Sequence, residues 1–198
     1  MAILTALDHN LFALLNGSLT SSFLDWFMPL ITDAKTWMPL IAIIWLGLLF
    51  SGRPQMRVLA LALLVSVGLT DLVCTRVFKK AGARLRPCEL SQKTDFKCRL
   101  LLPMKTSKSF PSNHAANTAA FAAAMFFMCG IKAGWPFFIL AFLVGYSRVY
   151  VGVHFPMDVL AGWFFGILIA LFVCRIVRKK WPSQVSAAPE CPAPPVPQ

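Results

Sequence analysis

Eight residues, in three short polar clusters of this sequence, have the types and the spacing to carry out chemistry together. In chain order they are Lys79, Arg86, Ser112, Asn113, His114, Arg148, His154 and Asp158. Arginine and lysine gathered around one point form an anion site, and the planar arginine fork matches phosphate oxygens. A histidine oriented by a carboxylate is an activated nucleophile, and a second histidine can act as general acid. The clusters therefore predict an anion site, suited to a phosphate, with a nucleophile and a general acid beside it.

Two helix starts are expected to shape this site. Pro156 suits the first position of a helix, which puts His154 just outside that helix and Asp158 in its first turn. Asp158 can then accept a hydrogen bond from one ring nitrogen of His154 and leave the other nitrogen free. A helix start at Ser112 adds backbone N–H groups and the positive end of a helix dipole. We interpret His154 as the nucleophile, oriented by Asp158, and His114 as the general acid.

The clusters border apolar runs that are long enough to span, or nearly span, a bilayer, which takes roughly 20 residues. These runs are residues 36–50, 58–78, 114–130, 135–151 and 157–174. Successive spans run in opposite directions, so the three clusters emerge on one face of the membrane and can converge. We therefore expect an all-α, polytopic transmembrane helix bundle of five spans, or of six if the N-terminal region also crosses.

Small residues recur every four positions in two of these runs, at Ala116, Ala120 and Ala124 and at Gly162 and Gly166. This spacing lets helix backbones approach closely in lipid. Both runs are predicted to pack closely on other helices, unless the glycine pair is a chance feature of an apolar run.

The two ends of the chain differ from the spanning middle. Near the start, apolar residues at helical spacing predict an amphipathic helix, either lying on the membrane surface or packed on the bundle. These residues are Ile3, Leu4, Leu7, Leu11, Leu14 and Leu15. Residues 182–198 are rich in proline and alanine and are expected to form a disordered tail, so one membrane domain covers residues 1–181.

Composition and charge limit the partners. The chain has 198 residues, is 58% hydrophobic, and carries 19 Lys and Arg against 8 Asp and Glu. Because the cations flank apolar runs, we expect membrane lipids and an anionic lipid phosphate as partners, with neither nucleic acid nor an obligate protein partner. Only three histidines occur and they are scattered, so we expect neither a metal site nor a cofactor.

The clusters resemble the motifs of the type 2 phosphatidic acid phosphatase (PAP2) family, which are K-x6-R-P, P-S-x-H and S-R-x5-H-x3-D. Residues 79–87, 111–114 and 147–158 keep the internal spacing of these motifs. The likeness covers about residues 57–177. One departure is Asn113, which stands where P-S-G-H is frequent and which keeps the backbone N–H as a donor.

The resemblance implies a membrane phosphatase that needs no metal ion. In such an enzyme His154 attacks phosphorus to form a phosphohistidine, His114 protonates the leaving oxygen, and water hydrolyses the intermediate. The phosphate is then held by Lys79, Arg86, Ser112, Arg148 and the backbone of Asn113.

The N-terminal region resembles, more loosely, small bacterial members of the family that act on undecaprenyl diphosphate and yield undecaprenyl phosphate. Further cations of the polar stretch 79–110 fit a head group with more than one negative charge. They are Lys80, Arg84, Lys93, Lys97 and Arg99. Phosphatidylglycerol phosphate and lipid A 1-phosphate are the alternative substrates. A different class, a non-catalytic lipid-binding or transport protein, would be favoured by loss of a catalytic residue, and none is lost.

The distribution of basic residues predicts an orientation. Loop 51–57, the turn at 131–134 and the flank at 175–180 are basic and lie on the face opposite the site. The positive-inside rule makes that face cytoplasmic. We therefore expect a multi-pass protein of the bacterial inner membrane with its active site on the periplasmic or extracellular face.

Two further features of the sequence have structural interpretations. On an outward-facing loop, where oxidation is permitted, we expect a disulfide between Cys88 and Cys98, with two free thiols as the alternative. Asp71 lies deep in its span and on the same face as Lys79, and we interpret it as the structural partner of a nearby cation.

Overall fold

The computed structural model describes residues 2–81, 84–104 and 107–185, and within these ranges it contains helices and no strands. The all-α prediction is therefore confirmed. The helices are α1 (Ala2–Ala13), α2 (Ser22–Thr32), α3 (Ala34–Phe50), α4 (Pro54–Val73), α5 (Lys79–Ala81), α6 (Pro87–Lys93), α7 (Asn113–Cys129), α8 (Ile131–Tyr150), α9 (Pro156–Lys180) and α10 (Pro182–Val185). Short π-helical turns, Leu14–Ser18 and Cys74–Phe78, continue α1 and α4.

Helix α7 lies at the centre of the bundle and packs on α4, α8 and α9. Ala116, Ala120 and Ala124 are fully buried. On the facing helix, a Cβ added to Gly162 would lie only 2.6 Å from Ser112 O, and one added to Gly166 would collide with Ala116 O. The small residues therefore let the backbones of α7 and α9 approach closely, as their spacing predicts.

Two helical segments of the described chain are long and apolar enough to cross a membrane, Pro54–Phe78 and Pro156–Lys180. Helices α2 and α3, which meet at an angle of 49°, add a third if they count as one broken span. The prediction of five to six spans is therefore not confirmed. Helix α7 has 17 residues, fewer than the roughly 20 that a span needs, and its apolar face is covered by protein. Helix α8 includes Lys132 and Arg148 among its 20 residues.

Helix α1 packs on the bundle with a mixed inner face. Asp8 and Phe12 are buried, whereas Ile3, Leu4, Leu7 and Leu11 are exposed. Contact with α9 agrees with the packed alternative from the sequence. The described structure does not confirm an amphipathic helix on the membrane surface, because a carboxylate points inward.

Asn16 ties the end of this N-terminal segment to the rest of the protein. Its side-chain amide donates to Arg99 O at 2.8 Å and to Tyr150 O at 2.7 Å, and its oxygen accepts from Arg99 N. The segment is thus fixed to the loop before α7 and to the end of α8. At the other terminus, residues 186–198 lie outside the described residues, and Pro182–Val185 is helical, so the disordered tail beyond it stays a prediction.

Candidate active site

The loop between α8 and α9 carries His154, and α9 begins where the sequence predicts. Phe155 caps the helix, Pro156 takes its first position and Asp158 lies in its first turn. Asp158 Oδ2 accepts a hydrogen bond from Phe155 N at 2.9 Å. His154 Nδ1 lies 3.6 Å from the same oxygen, longer than a hydrogen bond but close enough to fix which nitrogen faces the carboxylate. Both side chains are buried.

The second ring nitrogen of His154 meets Arg86. Arg86 Nη1 lies 3.2 Å from His154 Nε2 and 2.8 Å from Val153 O. A guanidinium has only donors, so Nε2 accepts and the ring proton is assigned to Nδ1, toward Asp158. Burial, reinforced by the charges of Arg86 and Arg148 and opposed by Asp158, lowers the pKa of His154 to about 3. The imidazole is therefore neutral at physiological pH.

Two arginines are buried beside this histidine. Arg86 Nε donates to Ser107 O at 2.6 Å, and Arg148 Nη1 donates to Thr32 Oγ1 at 2.7 Å. Arg86 is 1% and Arg148 2% exposed. In the described part of the chain neither forms an ion pair with a carboxylate. Because an unpaired buried charge is costly, two of them at one point favour an anionic ligand.

Ser112 brings the start of α7 against the start of α9. Its N–H donates to Asp158 O at 2.9 Å. Ser112 Oγ and Arg148 Nε are buried, and no described residue is their hydrogen-bond partner. A phosphate can supply acceptors to such donors. Together the contacts join Arg86, Ser112, Arg148, His154 and Asp158 at one end of the bundle.

The remaining predicted residues lie at the same end of α4 and α7. His114 is half-buried in the first turn of α7, and Lys79 is half-buried at the start of α5. Asn113 Nδ2 donates to Thr75 Oγ1 at 2.7 Å, four residues before Lys79. The side chain of Asn113 therefore connects α7 to the turn that leads to Lys79, and its backbone follows Ser112.

Sequence reasoning missed two residues that contact Asp158. Arg84 Nη1 donates to Asp158 Oδ1 at 2.8 Å, and Ser109 Oγ donates to Asp158 Oδ2 at 2.5 Å. Arg84 Nη2 also forms an ion pair with Asp8. The available signal was an aspartate inside the apolar N-terminal helix, which needs a partner when it is buried.

The contacts of Arg84 correct the interpretation of the surplus cations. Of the five cations assigned to a multiply charged head group, three form ion pairs within the protein. Besides Arg84, Lys93 pairs with Glu89 at 2.9 Å and Arg99 pairs with Asp25 at 2.5 Å. The fold brings distant carboxylates to Arg84 and Arg99, so these two side chains are not a reserve of positive charge for substrate. The pair of Lys93 with Glu89 is local and exposed.

Asp71 contacts two asparagines of α7. Its Oδ1 accepts from Asn113 Nδ2 at 2.9 Å and from Asn117 Nδ2 at 3.0 Å. These partners are side-chain amides, and the pairing of Asp71 with a nearby cation stays a prediction. The carboxylate links α4 to the first turns of α7.

The predicted disulfide between Cys88 and Cys98 is not formed, and the alternative of two thiols holds. Both are free thiols, and Cys98 Sγ donates to Gly152 O at 3.5 Å. Burial raises the pKa of Cys98 to about 12 and also raises that of Cys88. Because disulfide exchange requires a thiolate, the raised pKa values slow this reaction at both side chains.

The site can bind an anion and attack it. A neutral imidazole presents Nε2 to a buried space that carries two guanidinium charges, with a carboxylate on the side of its protonated nitrogen. This combination fits a phosphoryl group whose oxygens contact the arginines while phosphorus faces the histidine.

Comparisons with known proteins agree with this chemistry. The PAP2 superfamily model matches residues 59–182. A lipid A 4′-phosphatase of Porphyromonas gingivalis is 30% identical over 98% of this chain and 82% of its own length. An undecaprenyl-diphosphatase of Sulfolobus acidocaldarius is 33% identical over 86% of this chain and 74% of its own. The crystal structure of a PAP2-type phosphatidylglycerolphosphate phosphatase from Bacillus subtilis superposes with a TM-score of 0.73 at 28% identity, covering 90% of this chain and 88% of that one.

Proposed function

We propose that this chain, which belongs to the PAP2 superfamily and is a membrane phosphatase, hydrolyses a lipid phosphate or diphosphate. The reaction proceeds through a phosphohistidine on His154. The observation that carries the proposal is the buried contact of His154 Nε2 with Arg86, beside a second buried arginine, Arg148. A neutral, acceptor nitrogen suits attack on a phosphoryl group, and so do two adjacent guanidinium groups that have no carboxylate partner among the described residues.

The proposed reaction has two displacements at phosphorus. In the first, the Nε2–P bond forms as the bond from phosphorus to the leaving oxygen breaks, and His114 gives that oxygen a proton. In the second, His114 takes a proton from water, the new P–O bond forms, and the Nε2–P bond breaks to release inorganic phosphate. Asp158 stabilises the positive charge that develops on the imidazole.

The charge on the transferring phosphoryl group is stabilised by the protein alone in this mechanism. Arginine N–H groups match the equatorial oxygens, and backbone N–H groups at the start of a helix add to them. The proposed donors are Lys79, Arg86, Ser112, Arg148 and the backbone of Asn113. Turnover should therefore persist in EDTA.

The substrate that we propose is undecaprenyl diphosphate, with undecaprenyl phosphate as product. Support comes from the relative of Sulfolobus acidocaldarius and from α3, which has no buried residue and exposes an apolar surface where a long prenyl chain can lie. A lipid A phosphate is the second candidate, because the lipid A 4′-phosphatase aligns over 98% of the chain. Phosphatidylglycerol phosphate is the third, from the structural relative.

We propose that five or six helical segments cross the bacterial inner membrane and that the site faces the periplasm or the exterior. Arg178 donates to Phe127 O, so the basic end of α9 meets the end of α7. His154 and Ser112 lie at the opposite ends of these two helices. The positive-inside rule then supports a cytoplasmic basic end and an outer active site.

Phosphate release by the purified protein tests the function. Equal concentrations of undecaprenyl diphosphate, phosphatidylglycerol phosphate and lipid A are offered in detergent with EDTA. We expect release that is greatest from undecaprenyl diphosphate and absent in His154→Ala. Binding of all three lipids without release would instead support the non-catalytic alternative, and a preference for either other lipid would replace the proposed substrate.

A further inference from the structure

We infer that Asp8 and Arg84 form a positioning pair for the reaction, through which helix α1 holds the carboxylate of Asp158 in its working orientation. This inference rests on the roles proposed above for His154 and Asp158. Arg84 contacts both carboxylates with different nitrogens, Nη1 to Asp158 Oδ1 at 2.8 Å and Nη2 to Asp8 Oδ2.

The contacts of Asp158 show why the pair matters. Its Oδ2 accepts from Ser109 Oγ and Phe155 N and is the oxygen that faces His154 Nδ1 at 3.6 Å. Its Oδ1 accepts from Arg84. Rotation of the carboxylate about its Cβ–Cγ bond moves both oxygens, so the contact of Arg84 with Oδ1 adds to the contacts at Oδ2 in opposing that rotation. Arg84 therefore helps to keep Oδ2 directed toward the imidazole.

Asp8 in turn holds Arg84 and the start of α9 together. Its Oδ1 accepts from Met157 N at 2.8 Å, while its Oδ2 binds Arg84. Asp8 is 2% exposed, and an aspartate buried in an apolar helix is costly unless it is paired. The guanidinium of Arg84 also lies 4.3 Å from the centre of the Phe155 ring, on which His9 stacks at 5.1 Å. Helix α1 is thus attached to the turn that carries Asp158.

A cavity beside the pair makes the idea testable. It has a volume of about 560 Å³ and is lined by Asp8, His9, Arg84 and Phe155 among others. The Arg84 side chain is 28% exposed. A small cation can therefore reach the space that the side chain leaves in Arg84→Ala. Chemical rescue by guanidinium separates positioning of Asp158 from a general contribution to folding.

The experiment measures kcat and KM for phosphate release by the full-length protein in detergent. In Arg84→Ala we expect kcat to fall by about 10- to 100-fold, as expected for one lost hydrogen bond to a charged group, with KM almost unchanged. Guanidinium chloride at low millimolar concentration should restore much of the loss. The kcat of Arg84→Lys should stay below that of the wild type, because a lysine ammonium does not form the fork that bridges two carboxylates.

Asp8→Asn tests the other half of the pair. The amide oxygen can still accept from Met157 N, so the change removes the charge and leaves that contact. A smaller fall in kcat is expected than in Arg84→Ala. In the double variant, Arg84→Ala with Asp8→Asn, the second change should lower kcat little further, since both residues act through Asp158.

Arg99→Ala is the matched control. Arg99 pairs with Asp25 at 2.5 Å with a side chain 31% exposed, and it links the same loop to α2. Its other contacts are Asn16 and the ring of Tyr150. Guanidinium should not raise the kcat of this variant, although the melting temperature should fall.

Two outcomes would overturn the inference: a wild-type kcat in Arg84→Ala, or a loss of kcat that guanidinium leaves unchanged. If Arg84→Ala cannot be purified, Arg84→Lys decides, since a wild-type kcat there refutes positioning and a lower kcat at unchanged melting temperature supports it. Failure of the proposed function looks different. The wild-type protein would release no phosphate, or His154→Ala would retain turnover.

Discussion

Substitution of Gly162 by alanine should damage activity far more than stability. The new Cβ would lie 2.6 Å from Ser112 O, 3.1 Å from Ala116 N and 3.2 Å from Ala115 Cβ. An ordinary C···O contact is about 3.3 Å, so the two backbones must separate by roughly 0.7 Å at this point. Ser112 N also donates to Asp158 O, and the separation therefore changes the site directly.

The two effects of this change can be estimated separately. Overpacking costs about 1–3 kcal/mol, and replacement of glycine by alanine inside a helix returns about 1 kcal/mol, so the net destabilisation is about 0–2 kcal/mol. A misplacement of about 1 Å in a reacting constellation can cost about 100-fold in rate. We therefore expect kcat to fall by about 10- to 100-fold in a protein that still folds.

Thermal unfolding in detergent and phosphate release, measured on the same preparation, check this expectation. Gly68→Ala is the control, because a Cβ at Gly68 in α4 meets nothing within 4 Å. That variant should keep its activity and gain about 0.5–1 kcal/mol in stability. Equal activities for Gly162→Ala and Gly68→Ala would refute the close approach of α7 and α9 at Ser112.

Three further predictions concern the site and its surroundings. The pKa of His154 falls from about 6.5 in an unfolded chain to about 3 in the native protein, so the native state binds fewer protons between these pH values. The contribution of neutral His154 to stability is therefore complete above about pH 6.5 and is lost as the pH falls toward 3. The melting temperature of His154→Gln should accordingly fall less than that of the wild type between pH 7 and pH 4, and an equal fall would contradict the assignment. Arg148→Lys keeps a charge but loses the planar fork, so the inhibition constant for orthovanadate should rise by about tenfold, and unchanged inhibition would place the anion elsewhere. Cys98 should react with a thiol reagent only after denaturation, because burial raises its pKa to about 12, and rapid labelling of Cys98 in the native protein would be inconsistent with that burial.

Local rules predicted the parts of the site that lie close together in sequence. Proline at the first position of a helix placed Asp158 in the first turn of α9 and His154 outside it, and the structure has this arrangement. The four-residue spacing of alanine and glycine predicted close helix packing, which α7 and α9 show. In each case the determining residues are separated by only a few positions, so their relation is fixed by helix geometry.

Long-range contacts could not be predicted in this way. Arg84 meets Asp8 from a distance of 76 residues and Asp158 from 74, and nothing in the spacing of these residues relates them. Arg84 and Arg99 appeared to be surplus because their carboxylate partners are distant in sequence. The composition of an apolar run such as 114–130 also does not distinguish a helix covered by lipid from one covered by protein. In the structure, protein covers most of α7.

The contact between Arg86 and His154 has a consequence for selectivity. While Arg86 Nη1 donates to Nε2, the lone pair of the nucleophile is occupied, and an electrophile without anionic oxygens meets an unreactive imidazole. An entering phosphate offers Arg86 a stronger acceptor and so frees the nitrogen that will attack it. Arg86 thus protects His154 from electrophiles that lack anionic oxygens. Reagents that modify free histidines should therefore act on His154 slowly in the resting protein.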